Sequence, residues 1–247
     1  MPDSDHGSGP AARHIPLPQI GEESHGKIES TTVLIIGLGG IGCASASHLA
    51  SSGIGQLLLC DFDTVDASDL GRQTLCGPED VGQLKAHRAA SRLAAMNPDV
   101  RLTEIPERLS DHALQEAVNQ AAVVLDGCDN FVTRFQVSDA CVRNNRSLVS
   151  GSAIRFEGQM AVFGPDYTKS PCYRCLYKES DDSLDDYAGN GREHGAVGTM
   201  MAVETLKISA GVPVKFGKLS LYDALASEWS KVGITKRKHC PGCAAAS

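Results

Sequence analysis

An α/β fold is predicted from three observations. Short β-branched, apolar runs alternate with segments of helical character between residues 31 and 151. The first run leads directly into Gly37-Leu38-Gly39-Gly40-Ile41-Gly42, a strand–turn–helix glycine pattern. Two C-x-x-C pairs, Cys172/Cys175 and Cys240/Cys243, lie in the remainder of the chain. Together they predict a Rossmann-like parallel sheet, extended by antiparallel strands, with a C-terminal segment stapled by zinc.

The elements follow in order. Thr32–Ile36 (TVLII) suits a strand buried on both faces. Ile41–Ser51 is helical, and Leu57–Phe62 is a second buried strand. Lys85–Met96 is an Ala- and Arg-rich helix, and Val100–Ile105 alternates as a third strand. Ala121–Leu125 is a fourth strand, followed by a helix over about 130–143 and a fifth strand at Ser147–Ser150. Strands alternating with helices imply parallel pairing through right-handed crossovers. The rhythm changes after Gly151: Ile154–Phe163, Leu219–Tyr222 and Trp229–Ile234 alternate like antiparallel strands. Gly198–Leu206 reads as a buried helix, with Met200 and Met201 as core filler. The acidic stretch Lys178–His194 reads as a loop, and residues 1–12, polar and rich in Gly, Ser and Pro, as a disordered tail.

Composition bounds the function. A chain of 247 residues with 42% hydrophobic and 21% charged residues can bury one large core. A formal net charge of -7, with no basic block beyond Lys236-Arg237-Lys238, argues against a nucleic-acid partner. No apolar run reaches the roughly 18 residues of a membrane span, and the N-terminal stretch lacks the pattern of a signal peptide. With nine cysteines, an odd number, the expected setting is a reducing cytoplasm.

Four thiolates from two C-x-x-C knuckles make a complete tetrahedral shell for Zn²⁺. A closed shell argues for a structural ion, because a catalytic zinc keeps one position open. A redox role is disfavoured: one pair follows a strand pattern and the other falls at residues 240–243, whereas a redox pair opens a helix early in its unit.

The glycine turn brings backbone amides and a helix N-terminus to a phosphate. By itself it fits NAD or FAD equally well, and Asp61 and Asp63, at the end of the second strand, fit ribose recognition in any of these cases. The turn lacks the G-K-[ST] of a Walker loop. The polar loop Asp66–Gln73 carries Arg72, Lys85 opens the next helix, and Asp126-Gly127-Cys128-Asp129-Asn130 closes the fourth strand. In a parallel sheet these strand ends share one edge, which gathers Asp61, Arg72 and Asp129 around a crevice within reach of Lys85. Two cations and a metal-capable carboxylate suit a triphosphate. Asp126 reads either as part of this site or as a structural hydrogen-bond acceptor, Arg155 as a lining residue or an ion-pair partner, and His48 as structural.

The motifs RHIPLPQIG (from Arg13), GLGGIG, DFDTVD, DLGRQ, DGCDN, VSGSAIRFEGQ (from Val149), PCYRC and CPGC occur in this order between Arg13 and Cys243. In order and spacing the chain resembles the bacterial ThiF/MoeB/HesA family, relatives of ubiquitin-activating enzymes, and within it the molybdopterin-synthase and thiazole-biosynthesis adenylyltransferases. The resemblance implies an enzyme that activates the C-terminal glycine of a ubiquitin-like sulfur carrier ending in Gly-Gly, forming an acyl-adenylate and pyrophosphate from ATP. It implies a single adenylyltransferase domain over 13–247, with a nucleotide-binding half at about 31–151 and a carrier-binding and zinc half at about 152–247. Gly40 would approach the nucleotide and Asp61 hold the ribose. Arg72 and Lys85 would bind phosphates, and Asp129 would carry Mg²⁺ with Asn130 in support. Asp63, Ser68, Asp69 and Gln73 would complete the nucleotide site. Arg13 would come from the partner subunit of a homodimer.

The chain departs from this pattern in three places. Residues 176–239 contain no cysteine, so no covalent carrier intermediate is expected on that loop and sulfur must come from another protein. Asp69 stands where the family usually has asparagine, and Pro10 where the N-terminal motif has its first arginine. Two alternatives therefore accompany the adenylyltransferase reading: an NAD-dependent oxidoreductase, resting on the glycine turn and Asp61, and a catalytically inactive nucleotide-binding scaffold.

Overall fold

The computed structural model describes residues 21–178 and 194–244. The elements run α1 (Gly21–Ser30), β1 (Thr32–Ile36), α2 (Gly40–Ser51), β2 (Gln56–Cys60), α3 (Lys85–Met96), β3 (Arg101–Ile105), α4 (Asp111–Gln120) and β4 (Val123–Asp126). They continue through α5 (Phe131–Arg143), β5 (Ser147–Ile154), β6 (Glu157–Phe163), α6 (Tyr173–Leu176), α7 (His194–Ser209), β7 (Lys218–Asp223) and β8 (Glu228–Gly233). The tail at 1–12, Arg13 and most of the expected loop at 178–194 lie outside the described residues.

One eight-stranded sheet has the order β3-β2-β1-β4-β5-β6-β7-β8. Pairing is parallel from β3 to β5 and antiparallel from β5 to β8. β1 shows why the parallel half reads as continuous apolar runs: Val33 and Ile35 enter one core while Leu34 and Ile36 enter the other. The first core packs under α2, α3 and α7, the second under α4, α5 and the cysteine knuckles.

Chain direction in the sheet reverses its lateral progress at β1, which lies between β2 and β4. A crevice forms at such a switch point, beyond the strands' C-terminal ends. The glycine turn is built into it. Gly37 has φ +88°, and its N–H donates to the Cys60 carbonyl at 2.9 Å, tying the end of β1 to the end of β2. A Cβ on Gly42 would lie 1.9 Å from the Gly37 carbonyl oxygen, so only glycine lets α2 start this close to the turn.

Several boundaries differ from the sequence expectation; β4 starts at Val123 rather than Ala121, and β6 at Glu157 rather than Ile154. β2 ends at Cys60 rather than Phe62, because Asp61 turns its carboxylate back to the glycine turn. β5 runs to Ile154 rather than Ser150: after pairing with β4 it continues against β6 alone. α7 begins at His194, ahead of the expected Gly198. Helices α1 and α4, like the four-residue α6, were not anticipated. Both longer helices are mostly polar, and α4 buries only Leu114, Ala117 and Val118, a narrow stripe at helical spacing.

Candidate functional site

A cavity of about 650 Å³ opens at the switch point. Gly37, Gly39 and Gly40 form one wall; Asp61, Asp63, Arg72, Gln73 and Lys85 lie on the β2 side; Asp129 and Asn130 lie on the β4 side. The residues that the sequence assigned to one crevice thus share it. Ser68 and Asp69 do not line it.

Asp61 is 8% exposed. Its carboxylate accepts the Leu38 N–H at 2.7 Å and the Asp63 N–H at 2.9 Å, which fixes it beside the glycine turn. Burial raises its pKa, and those two N–H bonds and Lys85 oppose the rise only in part.

The loop after β2 is a short 3₁₀ turn closed by a reciprocal cap. The Asp66 carboxylate accepts the Ser68 N–H at 2.8 Å, and the Asp69 carboxylate accepts the Asp66 N–H at 3.1 Å. This turn aims Arg72. Its guanidinium donates to the Ser68 carbonyl at 3.1 Å and to Asp69 at 2.8 Å. Lys85 reaches the same place from the N-terminus of α3, with its ammonium 3.3 Å from Asp69 and 3.5 Å from Asp63. Burial alone would depress the Lys85 pKa; the carboxylates of Asp61, Asp69 and Asp63 outweigh it and hold the value above the ordinary 10.5. Gln73 is almost fully buried, and its Oε1 has no hydrogen-bond partner among the described residues.

Asn130 caps α5, its side-chain oxygen accepting the Thr133 N–H at 2.9 Å, and its amide donates to Asp129 at 3.2 Å. Asp129 is exposed, and that amide is its only hydrogen-bond partner among the described residues, so lone pairs remain for a cation. Gly40 is tight on the protein side too: a Cβ there would meet the His194 side chain at 2.8 Å and the Arg72 carbonyl at 3.2 Å.

Beneath the β4 side lies a group that sequence reasoning did not resolve. Arg134, 6% exposed, donates to Ser150 Oγ at 3.2 Å, to the Gly151 carbonyl at 3.0 Å and to the Cys128 carbonyl. Its guanidinium stands 3.5 Å from Asp126, and Ser150 also donates to Asp126 at 2.8 Å. Burial works against the charged guanidinium, but Asp126 outweighs it and keeps the pKa above the ordinary arginine value. Asp126 therefore acts as the structural acceptor of the two readings left open. The available signal was an arginine inside an otherwise apolar helix face, which needs a buried partner. Arg108 was also missed. Its guanidinium sits 4.5 Å over the Phe62 ring, and both residues line the cavity.

The four knuckle cysteines converge. Their Sγ atoms all lie within 4.8 Å of one another, with Cys172–Cys240 at 3.5 Å and Cys175–Cys243 at 3.6 Å. Disulfide sulfurs would be about 2.05 Å apart. A tetrahedral ion with metal–sulfur bonds of about 2.3 Å spaces its ligands by about 3.8 Å, so the set fits a four-thiolate metal. The Arg237 N–H points at Cys175 Sγ at 3.4 Å, a contact suited to a thiolate. Arg174, between the first two cysteines, makes a two-pronged bond to Asp139 of α5 at 2.8 and 2.9 Å.

The chain is similar to known proteins over nearly its whole length. The chain is 38% identical over 235 residues to the sulfur carrier protein ThiS adenylyltransferase of Escherichia coli (strain K12), covering 94% of this chain and 93% of that one. It is 37% identical over 237 residues to the molybdopterin-synthase adenylyltransferase of Salmonella typhimurium, covering 94% of each. Among solved structures, E. coli MccB with ATP superposes with a TM-score of 0.77 over 90% of this chain and 68% of that one, at 23% identity, a likeness of fold. The ThiF family profile matches residues 11–243, and the chain belongs to the ThiF family.

Proposed function

We propose that this protein transfers AMP from ATP to the C-terminal glycine carboxylate of a ubiquitin-like sulfur carrier ending in Gly-Gly, releasing pyrophosphate, in molybdopterin or thiamine (thiazole) biosynthesis. The observation that carries the reading is the junction of Asp61, Arg72, Lys85 and Asp129 in one cavity of a ThiF-family fold. A hydride-transfer site would leave that cation pair without a task.

The barrier to adenylylation is largely one anion approaching another, so the protein's part is charge neutralisation and alignment. Asp61 holds the ribose at a fixed distance from the glycine turn. The turn and the start of α2 receive the phosphates, and Arg72 and Lys85 take up charge on the β- and γ-phosphates as pyrophosphate departs. Asp129 would hold Mg²⁺ with Asn130 beside it; the ion, when bound, offsets triphosphate charge. Ser68 and Gln73 belong to the shell that shapes the phosphate end, and Arg13, brought from the partner subunit of a homodimer, would add a further cation. Cys172, Cys175, Cys240 and Cys243 would hold a structural Zn²⁺, fastening the carrier-binding half (about 152–247) to α5 through Arg174 and Asp139. An odd number of cysteines, four of them a zinc set, accords with a cytoplasmic setting. Adenylylation needs no cysteine, so the absence of one at 176–239 leaves it intact and assigns sulfur delivery to another protein.

The test is ATP–pyrophosphate exchange with a panel of purified carriers from the same organism. Exchange that requires both ATP and a carrier with an intact Gly-Gly end is expected. ATP binding without exchange on any carrier would favour the inactive-scaffold alternative instead.

A further inference from the structure

Asp69 is 4% exposed, stands outside the cavity lining, and lies against both cations of the phosphate end: 2.8 Å from Arg72 and 3.3 Å from Lys85. Resting on the adenylyltransferase reading, we propose that Asp69 is a fixed counter-charge that weakens the hold of Arg72 and Lys85 on phosphate, so that pyrophosphate leaves readily.

The geometry separates two roles of the side chain. The Asp66 N–H holds one carboxylate oxygen in the reciprocal cap, and Arg72 keeps a second anchor at the Ser68 carbonyl, 3.1 Å away. An asparagine would keep the Asp66 N–H bond and leave Arg72 its Ser68 carbonyl, while its amide NH₂ would take the place of the oxygen that accepts from Arg72. The negative charge is a separate contribution. Because Asp69 sits behind the cations, an incoming phosphate does not displace it. The charge remains beside Arg72 and Lys85 throughout the cycle, and at this burial it is little screened by solvent. Two guanidinium/ammonium charges thus act on phosphate with the strength of roughly one. Asp63, 54% exposed and 3.5 Å from Lys85, adds a weaker counter-charge from the open side. The effect grows with ligand charge, so it acts strongly on pyrophosphate and negligibly on adenosine.

The experiment is calorimetric titration of the full-length protein with magnesium pyrophosphate, ATP and adenosine, comparing wild type with Asp69→Asn and Asp63→Asn, each checked by thermal melting. Asp69→Asn is expected to bind pyrophosphate about fivefold or more tightly, ATP less markedly so, and adenosine unchanged; Asp63→Asn should tighten pyrophosphate about twofold. A folded Asp69→Asn protein with equal or weaker pyrophosphate affinity overturns the proposal. Should Asp69→Asn fail to fold, an Asp63→Asn protein with unchanged pyrophosphate affinity overturns it. Wild type that binds neither ATP nor pyrophosphate would instead refute the adenylyltransferase reading.

Discussion

The Leu38 backbone N–H donates to the Asp61 carboxylate at 2.7 Å, so the tip of the glycine turn and the end of β2 are held as one piece. The acceptor is also the expected ribose ligand. An Asp61→Asn protein can still accept one of its two N–H groups but must turn an amide N–H toward the other. The expected cost is about 1–3 kcal/mol in urea unfolding, together with weaker ATP binding.

Arg72→Ala and Lys85→Ala should each retain the fold and lose adenylylation. By comparison with the removal of one oxyanion donor elsewhere, the loss is about 10²–10³-fold in rate. Pyrophosphate exchange at saturating ATP measures it. Asp129→Ala should lose activity and its magnesium dependence while its melting temperature stays unchanged.

The alkaline limb of the stability curve should report Lys85. Its pKa is raised in the folded state, so its contribution is complete below the unfolded value of about 10.4 and is lost as pH rises through the higher folded value. Lys85→Met should flatten the pH dependence of unfolding free energy in that window relative to wild type.

Gly42→Ala places a methyl group 1.9 Å from the Gly37 carbonyl oxygen, a backbone atom that cannot step aside. A loss of about 1–3 kcal/mol is expected, with reduced nucleotide affinity because the turn itself must move. Asp126→Ala leaves Arg134 charged and buried without its counter-ion, at about 3–5 kcal/mol. Denaturant titration distinguishes both from Asp129→Ala, whose fold is expected to be unaffected.

Chelation or Cys243→Ala should release one equivalent of metal per chain and loosen the segment around residues 236–244. Metal analysis and hydrogen exchange read these two effects.

Much of the parallel half was legible because its strands are buried on both faces and its turns are marked by glycine and aspartate. Thr32–Ile36 and Lys85–Met96 match their expected bounds residue for residue. The C-x-x-C pairs were legible because thiolate chemistry fixes spacing more tightly than packing does. What could not be read depends on contacts between distant residues. Nothing local says that Asp69 turns inward to Arg72 and Lys85, or that Arg134 spans from α5 to Ser150 and Gly151. The extension of β5 past Ser150 depends on β6 arriving as its neighbour, and Arg108 joins the cavity only because its loop folds back over Phe62.

Strand β5 carries Ser147–Ser150 against β4 and Leu148–Ile154 against β6, so residues 148–150 are bonded on both edges at once. No cut near residue 151 separates two self-sufficient pieces. Either fragment would present a raw strand edge, and only together, co-expressed as complementing halves, would they rebuild the hydrogen-bonded ribbon that neither can close alone.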